Sequence, residues 1–243
     1  MTDLSYEGSF VSDQCFLENL ERALESRDKP LFPYGVTIQN HQSYTYAKYQ
    51  TELPAPKTDR PLSEEATEHL SVYFRGLEDG SKMLVRLTQY LDEQTEPYIL
   101  VFFGDHLPNL GANYLSYREL GINYGMTTTT QELLDTYRIP FVIWGNQAYR
   151  AGHDLAAKAA ELGLGEDITI SSHYLGALTC ELAGITGQDA YFDYLNTLRR
   201  SLPVDSVYGY RLADGSYTAQ LPEDMAVEVN KQWQWQYYRL KDK

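Results

Sequence analysis

Six apolar residues in a row, Tyr98-Ile99-Leu100-Val101-Phe102-Phe103, stop abruptly at Gly104-Asp105-His106. A run this rich in β-branched and aromatic side chains predicts a strand. Because it has no polar alternation, it predicts a strand covered on both faces, as in a parallel sheet flanked by helices. A second run, Ile139-Pro140-Phe141-Val142-Ile143-Trp144, stops at Gly145-Asn146. A third, over residues 31–38, ends in the polar cluster Gln39-Asn40-His41-Gln42-Ser43.

Helical patterns lie between these runs. Ser12-Asp13 caps a first helix with Phe16, Leu17, Leu20 and Leu24 at helical spacing, broken by Asp28-Lys29-Pro30. A long helix is predicted over 63–93, with Leu70, Tyr73, Phe74, Leu77, Leu84, Leu87 and Leu91 on one face and Gly76 and Gly80 softening its middle. Further helices are predicted over 153–162, 171–183 and 189–202, with Gly184 just past the second. Residues 44–62 and 107–137 read as long polar loops. The end of the chain reads as short antiparallel strands over 207–210, 216–221 and 235–240, with Asp214-Gly215 as a hairpin turn. The expected fold is α/β, a mainly parallel sheet flanked by helices with a small C-terminal antiparallel sheet. Residues 1–202 would form the larger part and 203–243 a hairpin subdomain packed on it.

Composition excludes some functions. With 34 acidic and 20 basic residues the net charge is −14, and no dense basic cluster offsets it, which argues against a nucleic-acid partner. No run approaches the roughly 18 apolar residues that span a bilayer. Met1-Thr2-Asp3-Leu4 lacks the basic and apolar regions of a secretory leader, so the chain as written reads as soluble. Cys15 and Cys180 sit in apolar-periodic segments and read as free thiols.

Ligands in parallel α/β sheets collect where strands end, and two of the expected strand ends carry ionisable groups. Asp105 and His106 offer one hard oxygen and one borderline nitrogen, a pair suited to Mn²⁺ or Zn²⁺. The plainer alternative is an Asp capping the next turn beside a solvated His. His41 is placed to hold an anionic oxygen, shuttle a proton or ligate metal, or else to be hydrogen-bonded within its own loop. His69 and His153 read as structural, and His173 stays open between the two readings. Residues 127–130 offer threonine hydroxyls with no adjacent base. The 21 tyrosines and the Trp233/Trp235 pair read as packing residues, with a sugar-stacking face as the alternative.

Several stretches together resemble the extracellular catalytic domain of the lipoteichoic acid synthase family, the phosphoglycerol transferases of the sulfatase/alkaline phosphatase superfamily. They are Val11-Ser12-Asp13 with Phe16, Val36-Thr37-Ile38-Gln39-Asn40-His41, the long helix ending at Leu91, and Val101-Phe102-Phe103-Gly104-Asp105-His106. Leu182-Ala183-Gly184-Ile185 and the terminal hairpin region complete the set, so the resemblance covers nearly the whole chain.

The resemblance implies that Asp105 and His106 are two ligands of one divalent cation, Mn²⁺ first with Mg²⁺ or Zn²⁺ as alternatives. It implies that His41 contacts the glycerol-phosphate group of a lipid or polymer substrate. The family's nucleophilic Thr, its Glu ligand and a substrate-contacting Arg match positions upstream of Met1. This chain would then be the C-terminal part of a membrane-anchored enzyme on the extracellular face of a bacterial cell membrane, inactive by itself. Two stretches depart from the synthase pattern: Leu107-Pro108-Asn109, and the region of His173, Tyr174 and Gly176-Ala177. A related sulfatase or phosphoethanolamine transferase is therefore an alternative, as is a non-catalytic module that binds cell-wall polymers.

Overall fold

The structure of the chain, a computed structural model, describes residues 4–125, 128–165 and 168–241. Met1 to Asp3, read above for a leader, and Thr127 of the threonine run lie outside the described residues, as do Asp242 and Lys243. The chain divides into two compact units. One is built from the stretch up to Glu96 together with 106–125, the other from 97–105 together with the stretch from 128 onward.

The first unit opens with a small antiparallel hairpin, β1 (Tyr6–Glu7) and β2 (Phe10–Val11). Helix α1 (Asp13–Glu25) begins where expected, because the Ser12 hydroxyl accepts from the Cys15 N–H at 3.1 Å. Its buried residues include Cys15, Leu17 and Leu24. Helix α2 (Glu64–Asp92) is the long helix of the sequence reading, capped by Ser63, whose hydroxyl accepts from the Ala66 N–H at 3.2 Å. Its buried face is rotated from the expected one. Ala66, Leu70, Val72, Gly76, Met83, Leu87 and Leu91 face inward, while Phe74 and Leu77 are exposed. Helix α1 packs on α2, and so does the short helix α3 (Leu115–Leu120). Tyr44, Tyr49, Leu70, Val72, Leu110 and Tyr117 form the core of this unit.

The strand expected over 31–38 is absent. The segment has no helix or strand, and Phe32, Tyr34 and Val36 are 90, 72 and 66% exposed. An apolar run shows that its residues tolerate burial, but a strand also needs a partner. None pairs with it among the described residues.

In the second unit β3 (Ile99–Phe103) and β4 (Phe141–Gly145) pair from Ile99↔Gly145 to Phe103↔Phe141. The pairing is antiparallel, which corrects the expectation of a mainly parallel sheet. An apolar run reports burial and carries no information on direction. The burial is itself incomplete, since Phe102, Phe103 and Val142 are exposed.

The expected loop over 107–137 contains α3 and also α4 (Thr130–Thr136). Helix α4 has a full capping box, with Thr129 and Glu132 each bonding the other's backbone. Asn146 then caps α5 (Gln147–Arg150), and its Oδ1 also accepts from the Tyr98 N–H at 2.8 Å, tying the start of β3 to the end of β4. Helices α6 (Leu155–Glu161), α7 (Leu175–Leu182) and α8 (Ala190–Ser201) follow, and Tyr174, Ala177, Leu195, Leu198 and Leu202, on and beside α7 and α8, form a core cluster. The buried Glu181 of α7 pairs with Arg199 at 2.7 Å and with Arg200, both on α8.

Three short antiparallel strands come next, β5 (Val204–Ser206), β6 (Gly209–Arg211) and β7 (Tyr217–Thr218). Asp214 Oδ1 accepts from the Ser216 N–H at 2.9 Å in the turn before β7. The strand expected over 235–240 is instead the end of α9 (Glu223–Lys241). Pro222 accepts the first helical bond, from the Ala226 N–H, and Glu223 and Asp224 fill the first turn, a helix start that outweighs the aromatic run. No helix among the described residues is long and apolar enough to cross a membrane. Cys15 and Cys180 are free thiols, as read from the sequence.

Candidate functional site

The first unit holds the Gln39-Asn40-His41 segment through a buried polar network. Gln39 Oε1 accepts from the Asp13 N–H at 2.8 Å, and Gln39 Nε2 donates to Asp79 Oδ2 at 3.0 Å. Asp13 opens α1 and Asp79 lies on α2, so one amide side chain links both helices to the segment. Arg75 Nε donates to the same Asp79 oxygen at 3.1 Å. Asn40 Nδ2 donates to the Tyr73 carbonyl at 3.3 Å, and the Tyr44 hydroxyl donates to the Asn40 carbonyl at 3.0 Å. Gly76 makes this approach possible, because a Cβ there would stand 2.0 Å from Asn40 Oδ1. Lys48 Nζ donates to the His41 carbonyl, with the rings of Phe10, Tyr44 and Tyr49 around it at 5.4–5.7 Å.

The network is strongly perturbed. Burial pushes the Asp13 carboxyl up to about 6, with the Asp79 charge adding to the effect and Lys48 opposing it. Burial likewise pushes Lys48 down to about 8, with Asp13 opposing.

His41 itself is exposed. Its Nδ1 lies 2.9 Å from the Gln42 carbonyl, and a carbonyl only accepts, so Nδ1 carries a proton and the lone pair of the neutral ring is on Nε2. The ring stands edge-on to Phe10 at 5.5 Å. His41, Gln42, Ser43 and Tyr44 line one side of an open cleft of about 490 Å³, with His69 of α2 and Asn109, Gly111 and Ala112 lining the rest. The sequence reading missed the place of His69 in this cleft. The only sequence signal was its residue type, since it sits between Glu68 and Leu70 in an ordinary helical pattern.

Asp105 and His106 follow β3, and both are exposed. His106 Nδ1 donates to the Leu107 carbonyl at 2.9 Å, which sets the tautomer with the lone pair on Nε2, the form a metal-ligating imidazole takes. No group of three or more His, Cys, Asp or Glu that could hold a metal occurs among the described residues.

The other histidines resolve as packing groups. Burial pushes His173 down to about 4, so it is neutral near neutral pH, and its ring lies 4.0 Å from that of Tyr174. His153 stacks on Tyr149 at 4.6 Å. Many tyrosines pack on one another, as in the stacked pairs Tyr117/Tyr124 and Tyr137/Tyr208, each with centroids 4.3 Å apart.

The family model described as Sulfatase matches residues 2–177, and the chain belongs to the sulfatase family. That membership places it in the sulfatase/alkaline phosphatase superfamily, whose domains are of the α/β class. The synthase subtype is a finer division than this match draws. A Rhizobium meliloti (strain 1021) protein named for cyclic beta-1,2-glucan modification is 27% identical over 148 residues, 60% of this chain and 23% of that protein. A Haemophilus influenzae protein described as uncharacterized is 29% identical over 105 residues, 43% of this chain and 18% of that protein. The matched stretches thus cover less than a quarter of the length of these curated relatives. No solved structure matches it.

Proposed function

We propose that this chain is part of a metal-dependent enzyme that transfers a phosphoglycerol group from a lipid or polymer to a hydroxyl of an envelope glucan. The observation that carries the reading is the buried clamp on Gln39-Asn40-His41, which spends two helices and a buried lysine on presenting one exposed imidazole at a cleft. Sulfatase-family membership supports the ester chemistry, and the glucan-modifying relative supports the acceptor class.

In this reading His41 binds the glycerol-phosphate group. Its Nε2 donates to a phosphoryl oxygen when the ring is protonated, and the Nδ1–Gln42 bond fixes the ring's tautomer and orientation. Asp105 and His106 supply two ligands of a divalent cation, Mn²⁺ first. Such an ion, when bound, stabilises charge on the transferring phosphoryl oxygens. The remaining ligands and the nucleophilic Thr are assigned to residues outside these 243, and the complete enzyme to the outer face of a bacterial membrane.

The test is to incubate the gene product that carries these residues with phosphatidylglycerol vesicles, Mn²⁺ and a cyclic glucan, and to weigh the glucan by mass spectrometry. A phosphoglycerol increment on the glucan is the expected result. Release of sulfate from a sulfated glucan, with no such increment, would replace transfer by sulfatase activity. The 243 residues alone are expected to bind Mn²⁺ weakly and to turn over nothing. Robust phosphodiester hydrolysis by them would contradict the placement of the nucleophile.

A further inference from the structure

We propose that His69 is a second imidazole that holds the substrate oxyanion in the His41 cleft. The inference deepens the reading above and rests on that cleft being the phosphate-binding one. Three observations carry it. First, His69 lines the cleft with His41 and Asn109. Second, its place there is built. It projects from the long helix α2 beside the buried Leu70, and the position of a Cβ on Gly111 would lie 2.8 Å from both His69 Cε1 and His69 Nδ1. Gly111 has φ +97°, a conformation that favours glycine, so its missing side chain leaves the space that the imidazole edge fills. Third, His69 Nδ1 is buried with no hydrogen-bond partner. A buried polar atom without a partner calls for an explanation, and a group bound beside it is one.

The electrostatics give the ring a task. A chain with a net charge of −14 repels an anionic ester at long range, so the ester must be held by local donors. The neighbouring carboxylate, Glu68, is engaged, with its Oε1 accepting from the Tyr46 N–H at 2.6 Å. Two imidazoles with the Asn109 amide and the Ser43 hydroxyl make a donor set for the oxygens of a phosphate or sulfate ester.

The experiment titrates the 243-residue chain, with ¹⁵N-labelled histidine, against glycerol 1-phosphate and separately against sodium sulfate. The ring resonances of His41 and His69 are expected to move together and to give one dissociation constant for each probe. His69→Gln and His69→Phe are each expected to weaken binding about tenfold, with unchanged circular dichroism. Phe refills the space beside Gly111, so wild-type binding by His69→Phe would show that the ring only packs there and would overturn the proposal. A His69 signal that stays still while His41 moves would overturn it too. Movement of His69 alone would support it while removing His41 from its assigned role. If neither ring moves, the proposal and the assignment of the cleft fall together.

Discussion

Asp13 is the residue on which the His41 clamp turns, and it is held under electrostatic stress. Its folded value of about 6 lies above the ordinary 3.8, so the folded chain binds the proton more tightly than the unfolded chain does. Such a carboxyl destabilises the fold as pH rises, with the loss developing between about 4 and 6 and constant above. Asp13→Asn removes this titration. Urea unfolding at pH 4, 5 and 7 is expected to show wild type losing stability relative to the variant across that range, on the order of 2 kcal/mol. A constant difference between the two proteins would refute the assignment. The sequence exposed only part of the candidate residues and of what supports them. His41, Asp105 and His106 stood out because polar, ionisable residues followed apolar runs. Gln39 could not be connected to Asp13 and Asp79, because those contacts join residues 26 and 40 positions apart. Lys48 gave no signal either, since nothing local marks a lysine that will be buried.

Elements whose signals are local were legible. Helix α2 announced itself through Ser63 and a long apolar period, and its ends fall at Glu64 and Asp92. Helix α4 carried a Thr-x-x-Glu capping box that the composition of its surroundings concealed, and α9 carried Pro222-Glu223-Asp224 in front of an aromatic run that mimicked a strand. Two glycines of α2 give a matched prediction. Gly76→Ala drives a methyl into Asn40, and its cost of about 1–3 kcal/mol outweighs the gain in helix propensity. It should also weaken glycerol phosphate binding, because Asn40 carries His41. At Gly80 the nearest atom to a Cβ is Asp13 Oδ2, at an ordinary 3.5 Å, so Gly80→Ala should be neutral or stabilise by up to about 1 kcal/mol. Thermal unfolding with a binding titration checks both. In the second unit Glu181→Ala leaves the buried Arg199 without its carboxylate and should cost about 3–5 kcal/mol by urea unfolding.

At the scale of the molecule, hydrophobic pattern and hydrophobic burial part company. The run over 31–38 is as apolar as many strands yet lies open, whereas Leu195 is 2% exposed. Phe32→Ser should therefore change unfolding free energy by less than about 0.5 kcal/mol, while Leu195→Ala should cost about 2–5 kcal/mol. Strand direction was beyond the reach of the sequence for a related reason. The composition of β3 and β4 is compatible with either orientation, and only their register shows that they run antiparallel. The family, by contrast, was legible at its superfamily level, through short strings such as Gly-Asp-His after a strand, taken in their order along the chain.

The central claim is that His41 and Asp105 serve phosphoglycerol transfer in the gene product that carries them. The most direct measurement is the rate of that transfer to cyclic glucan by the wild-type, Asp105→Asn and His41→Gln proteins, each verified as folded. The account predicts a loss of at least about a hundredfold for Asp105→Asn and about ten- to a hundredfold for His41→Gln. Wild-type rates in both variants would contradict it.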